Sequence, residues 1–293
     1  MRRPLQRQLE PYSDEDFLAD VYMERADYED FKGLAAEKKN LILQGAPGTG
    51  KTFAAERLAW AIMGCKDRSR VERVQFHQST SYDEFVIGFK PNAEGGFFIE
   101  EGPFVKFCNK AAADKDKVEY FFIIDEINRA NVSKVFGELL MLMEDSHRGE
   151  PLKLGIDGRR FCVPENVTII GMMNTADRGL ALIDYALRRR FAFFEMQPAL
   201  DNQAFMKRVE ECEDQRMPAL VDAVRKLNRK IAEDPALGDG FRIGHSYFCK
   251  KKEAEPGCVD SIIKYELIPL IREYWFDDRK TADTEIAKLR SLQ

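Results

Sequence analysis

The sequence predicts a doubly wound α/β domain with a mainly parallel five-stranded sheet, followed by a smaller, mostly helical domain. Three observations carry this expectation. Short apolar runs, rich in β-branched and aromatic residues, fall at 41–43, 71–76, 118–124, 167–173 and 191–196. Each is bounded by polar residues, Gly or Pro, the pattern of buried parallel strands. Helical patterns separate them, which makes a layered α/β unit. Past Pro198 the strand signals thin out and apolar stripes at helical spacing take over. The expected domains are therefore 1–198 and 199–293.

Taken in order, the run at 41–43 feeds a glycine-rich turn. A helix follows, on which Ala55, Leu58, Ala59 and Ile62 recur on one face. His77 follows the second strand and is expected to cap it. LKLGIDGRRFCV (152–163) alternates around Asp157-Gly158, the signal of a β-hairpin that projects from the sheet. Arg148, Lys153, Arg159 and Arg160 make that region basic, as a solvated surface or a contact to DNA or a partner. In the second part, Met217-Pro218 opens a helix carrying Leu220, Val221, Val224, Leu227 and Ile231. A further apolar helix is expected near 262–274, and a strand signal lies at 246–249.

Composition narrows the function classes. Apolar residues make up 44% of 293, enough for a real core, and charges make up 32% with a net of −5. That balance argues against a protein that coats DNA or an anionic membrane. The six cysteines form no CxxC pair and match no zinc framework, so reduced thiols in a cytoplasmic protein are expected. The arginines near the N-terminus precede no apolar segment of a signal peptide. No apolar run approaches the roughly 18 residues of a membrane span.

The chemistry begins at Gly45-Ala46-Pro47-Gly48-Thr49-Gly50-Lys51-Thr52, which fits G-x-x-x-x-G-K-[ST] between a strand and a helix. Such a loop turns its N–H groups inward on phosphate oxygens, and the helix N-terminus adds its positive end. Lys51 is expected at the β/γ-phosphates and Thr52 on Mg²⁺. FFIIDE (121–126) then runs four apolar residues into two carboxylates. They stand at the carboxyl edge of the sheet, where open α/β sheets bind ligands. Asp125 is expected to hold Mg²⁺ through its water shell, and Glu126 to orient and polarise the attacking water. VTIIGMMN (167–174) ends in Asn174, beside the acids, where it can bond the γ-phosphate or the water, cap the following turn, or both.

Together these motifs resemble the AAA+ nucleotide hydrolases. LRRRF (187–191) then takes the place of the arginine finger. MMNTADRGLALIDYALRRRFAF (172–193) resembles the McrB branch, as do PYSDEDFLADVYM (11–23), VQFHQSTSYDEFVIGFKPNAEGGF (74–97), IGHSYF (243–248) and ELIPLIREYW (266–275). The resemblance covers nearly the whole chain. It implies a hexameric ring that hydrolyses GTP, a McrC-like endonuclease as partner, and DNA translocation and cleavage by the complex. It also implies that Asn174 and Asp177 help set the catalytic water, and that Arg189 and Arg190 complete a neighbouring subunit's site. Of the three arginines, Arg189 is expected as the finger, Arg190 as its assistant and Arg188 as structural. Arg129, after DEIN, either contacts the adjacent subunit or is a surface charge.

Two features depart from the branch. Gly179 replaces the usual Ser after NTADR. The McrB architecture also has a DNA-reading N-terminal domain, for which about ten residues before PYSDEDF leave no room. A longer form of the chain, or recognition by another subunit, is the expectation. The residues leave ATP and GTP open. The nearest string to a guanine-reading Asn-Lys-x-Asp loop, Asn109-Lys110-Ala111-Ala112, lacks the acid. The base is expected against the 11–23 segment, with Phe17, Val21 and Tyr22 as walls or as ordinary helix packing. His245 in the second domain is a candidate nucleotide contact. A MoxR-like ATPase that remodels proteins, sharing the DEINRA stretch, is the alternative.

Overall fold

The computed structural model describes residues 9–93, 95–176, 185–249 and 257–293. The strands, in chain order, are β1 Asn40–Gly45, β2 Val71–Gln75, β3 Ile87–Pro91, β4 Phe97–Glu101, β5 Tyr120–Asp125, β6 Leu152–Lys153, β7 Arg160–Phe161, β8 Val167–Asn174 and β9 Ala192–Glu195. Five of them form one parallel sheet in the order β2-β5-β8-β1-β9. These are the five predicted runs. The non-sequential order means that crossover helices cover both faces, so β1, β5 and β8 are almost fully buried.

Register sets the site. Gly45 lies beside Asn174 in the β1–β8 pair, and Ile124 lies beside Gly171 in the β5–β8 pair. The last residues of three strands therefore share one edge. On one face of the sheet Phe85, Phe104, Phe122 and Phe136 interlock edge to face. The other face is covered by α1 (Asp14–Val21), α2 (Arg25–Lys38) and α3 (Lys51–Met63), through Phe17, Phe31, Leu58 and Trp60. A third apolar cluster runs from Leu200 to Leu289. It is built on the helix Met217–Glu233 and on the helical segments Cys258–Ile262, Ile263–Leu267 and Ile268–Tyr274.

Several expectations are corrected. β2 is an edge strand with Glu72, Arg73 and Gln75 exposed, because among the described residues no strand pairs with its outer side. The signal at 246–249 is a 3₁₀ turn, His245–Phe248, whose aromatic Tyr247 and Phe248 mimic strand composition. The β6–β7 hairpin is present, but it does not project. Leu154 and Phe161 sit in the core, and Arg159 pairs with Glu101 and Asp157. Arg148 is 8% exposed and donates to the Pro164 and Val167 carbonyls and to Asn40 Oδ1. It is an internal tie, not part of a basic face. The β3–β4 hairpin was not anticipated, since its short mixed runs carry no strand period.

The six cysteines are free thiols. No helix of the described residues is long and apolar enough to cross a membrane.

Candidate active site

The turn between β1 and α3 owes its shape to its glycines. Gly48 and Gly50 both have φ of 78°, a region that costs any other residue about 1 kcal/mol or more. Lys51 is 8% exposed, and its ammonium donates to the Gly45 and Ala46 carbonyls at 2.9 Å each. The amine thus already lies inside the loop. Thr49 Oγ1 closes the turn on the Ala46 carbonyl at 3.0 Å.

Thr52, in the first turn of α3, donates its hydroxyl to Asp125 Oδ2 at 3.4 Å. The two oxygens are hard donors within reach of one ion. Mg²⁺ bound to nucleotide phosphates needs few protein ligands of this kind, so the residues fit the metal that the motifs imply.

Glu126 follows Asp125 in the left-handed region, φ 52° and ψ 44°. Such backbone is costly for a residue with a side chain, and it clusters at functional sites. The conformation aims the carboxylate across the sheet edge to Asn174, whose Nδ2 donates to Oε1 at 2.8 Å. Arg129 Nε lies 3.2 Å from the other oxygen as an ion pair. Lys51, Thr52, Asp125, Glu126 and Asn174 line one cleft of about 380 Å³. Asp177 and Gly179 lie outside the described residues.

A second cleft, of about 310 Å³, opens beside the first and is lined by Val21, Tyr22, Phe194, Met196, Asn202 and His245, among others. Val21 and Tyr22 thus reach it from the 11–23 segment. Phe17 does not. It is fully buried, 4.4 Å centroid to centroid from Tyr28 and packed against Phe31, so it offers no surface to a base.

The helical domain reaches into this corner. Gly244 and Ser246 donate their N–H groups to the Pro47 and Gly48 carbonyls at 3.2 and 2.9 Å. A Cβ on Gly244 would meet the Gly48 carbonyl at 2.1 Å, so only glycine allows this approach. His245 is buried between them. Its Nδ1 accepts from the Ala199 N–H at 3.1 Å, which leaves the proton of the neutral ring on Nε2, facing Gly50. Burial pushes its pKa down to about 4. A neutral N–H donor therefore faces the phosphate loop.

The arginines lie elsewhere. The helix Tyr185–Arg190 enters β9 at the edge where the strands begin. Asn40, the first residue of β1, donates to the Arg190 carbonyl at 3.0 Å. The phosphate loop starts at the other end of β1. At ~3.3 Å per residue the two ends are about 17 Å apart, more than an arginine side chain spans. Arg190 pairs with Glu144, and the Arg188 guanidinium lies 5.7 Å over the Phe193 ring. Arg189 is exposed and carries no ion pair among the described residues.

Residues 40–191 match the family described as the AAA domain of the dynein-related subfamily, and residues 219–283 match the McrB alpha-helical lid domain. The chain is an McrB-like AAA+ protein. It is 45% identical over 287 residues to the Type IV methyl-directed restriction enzyme EcoKMcrB subunit of Escherichia coli (strain K12). That match covers 94% of this chain and 62% of the relative, so the chain spans about three fifths of that relative's length. It is 27% identical to the Type II restriction enzyme BsuMI component YdiS of Bacillus subtilis (strain 168), over 92% of this chain and 88% of that protein. Chaperone MoxR1 of Mycobacterium tuberculosis is 30% identical, but over only 53% of this chain and 35% of its own.

In this McrB-like chain, sequence reasoning missed two contributions to the site. Arg73 Nη2 lies 2.9 Å from Asp125 Oδ2; the charged pair Glu72-Arg73 inside a strand run was the available signal. Tyr247 covers Gly48 so closely that a Cβ there would meet its ring at 2.9 Å. No local pattern predicts that contact, because it joins the two parts of the chain.

Proposed function

We propose that this chain is the nucleotide-hydrolysing motor of a McrB-type restriction complex. It assembles as a hexameric ring and hydrolyses GTP in preference to ATP. It drives DNA translocation for a McrC-like endonuclease. The observation that carries this reading is the separation of Arg189 from its own phosphate loop. An exposed arginine on the far edge of the sheet has no phosphate within its own subunit. It completes a site only when a neighbour presents one, which requires an assembled ring.

Within one subunit the roles divide as follows. The loop 45–52 cradles the phosphates with its N–H groups, and Lys51 moves from the loop carbonyls to the phosphate charge. Thr52 and Asp125 hold Mg²⁺, which when bound neutralises charge on the β/γ-phosphates. Glu126, oriented by Asn174, takes the proton of the attacking water. Asp177 is assigned to the same water by resemblance. His245 donates from Nε2 toward the phosphates. Val21, Tyr22 and Met196 wall the base cleft, whose lining also holds Glu24 and Asp27. Carboxylates suit guanine, which presents adjacent donors at N1 and the 2-amino group; adenine does not.

The deciding experiment is Mg²⁺-dependent turnover of GTP and of ATP across a range of protein concentrations. GTP hydrolysis that rises with ring assembly is expected. Hydrolysis of ATP with GTP ignored sinks the assignment and moves the chain toward the MoxR-like reading.

A further inference from the structure

Arg73 stands on the edge strand β2, two residues before Gln75, the residue that pairs in register with Asp125. Its guanidinium reaches diagonally up the sheet, and Nη2 lies 2.9 Å from Asp125 Oδ2. That same oxygen is the one facing Thr52 Oγ1 at 3.4 Å. The two side chains differ in freedom. Arg73 is 59% exposed and Asp125 only 20%. The guanidinium can swing into water; the carboxylate, on the end of a buried strand, cannot follow it. A divalent cation and a guanidinium compete for one carboxylate, since their like charges repel at such range.

We propose that Arg73 is a positioning residue of the metal site. It pairs with the Asp125 carboxylate while no divalent ion is bound, competes with the ion for that charge and gives it up when the ion arrives. It thereby sets the divalent concentration at which the site fills. The proposal rests on the reading of Asp125 as the metal carboxylate, and the two can be separated by experiment.

The full chain is titrated with Mn²⁺ in the presence of a non-hydrolysable GTP analogue, and free Mn²⁺ is read by electron paramagnetic resonance. Arg73→Gln is expected to lower the Mn²⁺ Kd about two- to fivefold, the scale of an exposed ion pair. Arg73→Lys, which keeps the charge but loses the fork, falls between. Affinity for the analogue in EDTA stays unchanged in both variants. An unchanged Mn²⁺ Kd in Arg73→Gln overturns the proposal. So does a loss of metal-free nucleotide binding, which makes Arg73 a phosphate ligand instead. Asp125→Asn serves as the reference. If it leaves Mn²⁺ binding intact, the metal reading itself fails; if it weakens binding while Arg73→Gln does nothing, only the role of Arg73 fails.

Discussion

Asn174 Nδ2 holds Glu126 Oε1 at 2.8 Å, so the amide ending β8 fixes the acid that follows β5. The left-handed backbone at Glu126 makes this possible, because it turns the carboxylate away from the strand axis and across the edge. The carboxylate proposed as the base is therefore held in place by Asn174. Glu126→Gln keeps the size and the bond from Asn174 but cannot take a proton. Turnover is expected to fall about 10²–10⁴-fold, with nucleotide affinity within a few fold of wild type. Steady-state hydrolysis and fluorescent-nucleotide binding check this. Unchanged turnover would mean that Glu126 is not the base.

Arg189→Ala is expected to lower turnover by about 10³–10⁵, the scale of a finger supplied in trans, while isolated subunits bind nucleotide normally. Mixing gives a sharper result. Rings made from Arg189→Ala and Glu126→Gln subunits contain some interfaces with both groups intact, so the mixture hydrolyses more than either variant alone. A mixture no better than its parts, or loss of binding by isolated Arg189→Ala subunits, argues that the arginine acts within its own subunit.

His245 makes lid packing depend on pH. An unfolded imidazole titrates near ~6.5, and burial holds this one near 4. Between those values the unfolded chain binds the extra proton, so this group subtracts stability progressively as pH falls, up to about 3 kcal/mol. His245→Gln removes that dependence. The melting-temperature gap between wild type and variant, measured from about pH 7.5 to 4.5, is expected to shrink as pH falls. A constant gap indicates a ring that is solvated instead of buried.

Arg148 is a structural prediction. Its guanidinium serves three carbonyls and Asn40 Oδ1, and burial pushes its pKa down to about 10. Asn40 in turn donates to the Arg190 carbonyl. Arg148→Ala strands these acceptors and is expected to cost about 3 kcal/mol in denaturant unfolding. Through Asn40 it also loosens the end of the arginine helix, so turnover falls more than binding. A loss below about 0.5 kcal/mol contradicts the role of an internal tie.

The strands of the sheet, the phosphate loop and the two acids were legible in the sequence because each is a local pattern. Apolar runs of strand length must be buried, and GAPGTGKT is a loop whose glycines and lysine are adjacent in the chain. The strand order was not legible, nor was the register that sets Gly45 against Asn174 and Gln75 against Asp125. Arg148 shows the limit most clearly. Its charge placed it among the basic residues of a surface hairpin, yet it lies buried, because four acceptors from two distant segments converge on it. Phe17 and His245 divide in the same way. One helix carries Phe17 into the core and Val21 to the cleft, while His245 reaches the phosphate loop from a segment some two hundred residues away in the chain.

By itself, then, the sequence determined the layers of the fold, the phosphate-binding loop and the residue types available for hydrolysis. Only the tertiary structure decided that Arg73 meets Asp125 and that the arginine triplet stands at the opposite edge from its own nucleotide loop. The reason is geometric: neighbours along the chain are set by covalent spacing, whereas neighbours across a parallel sheet are set by crossover connections and by which faces must be buried.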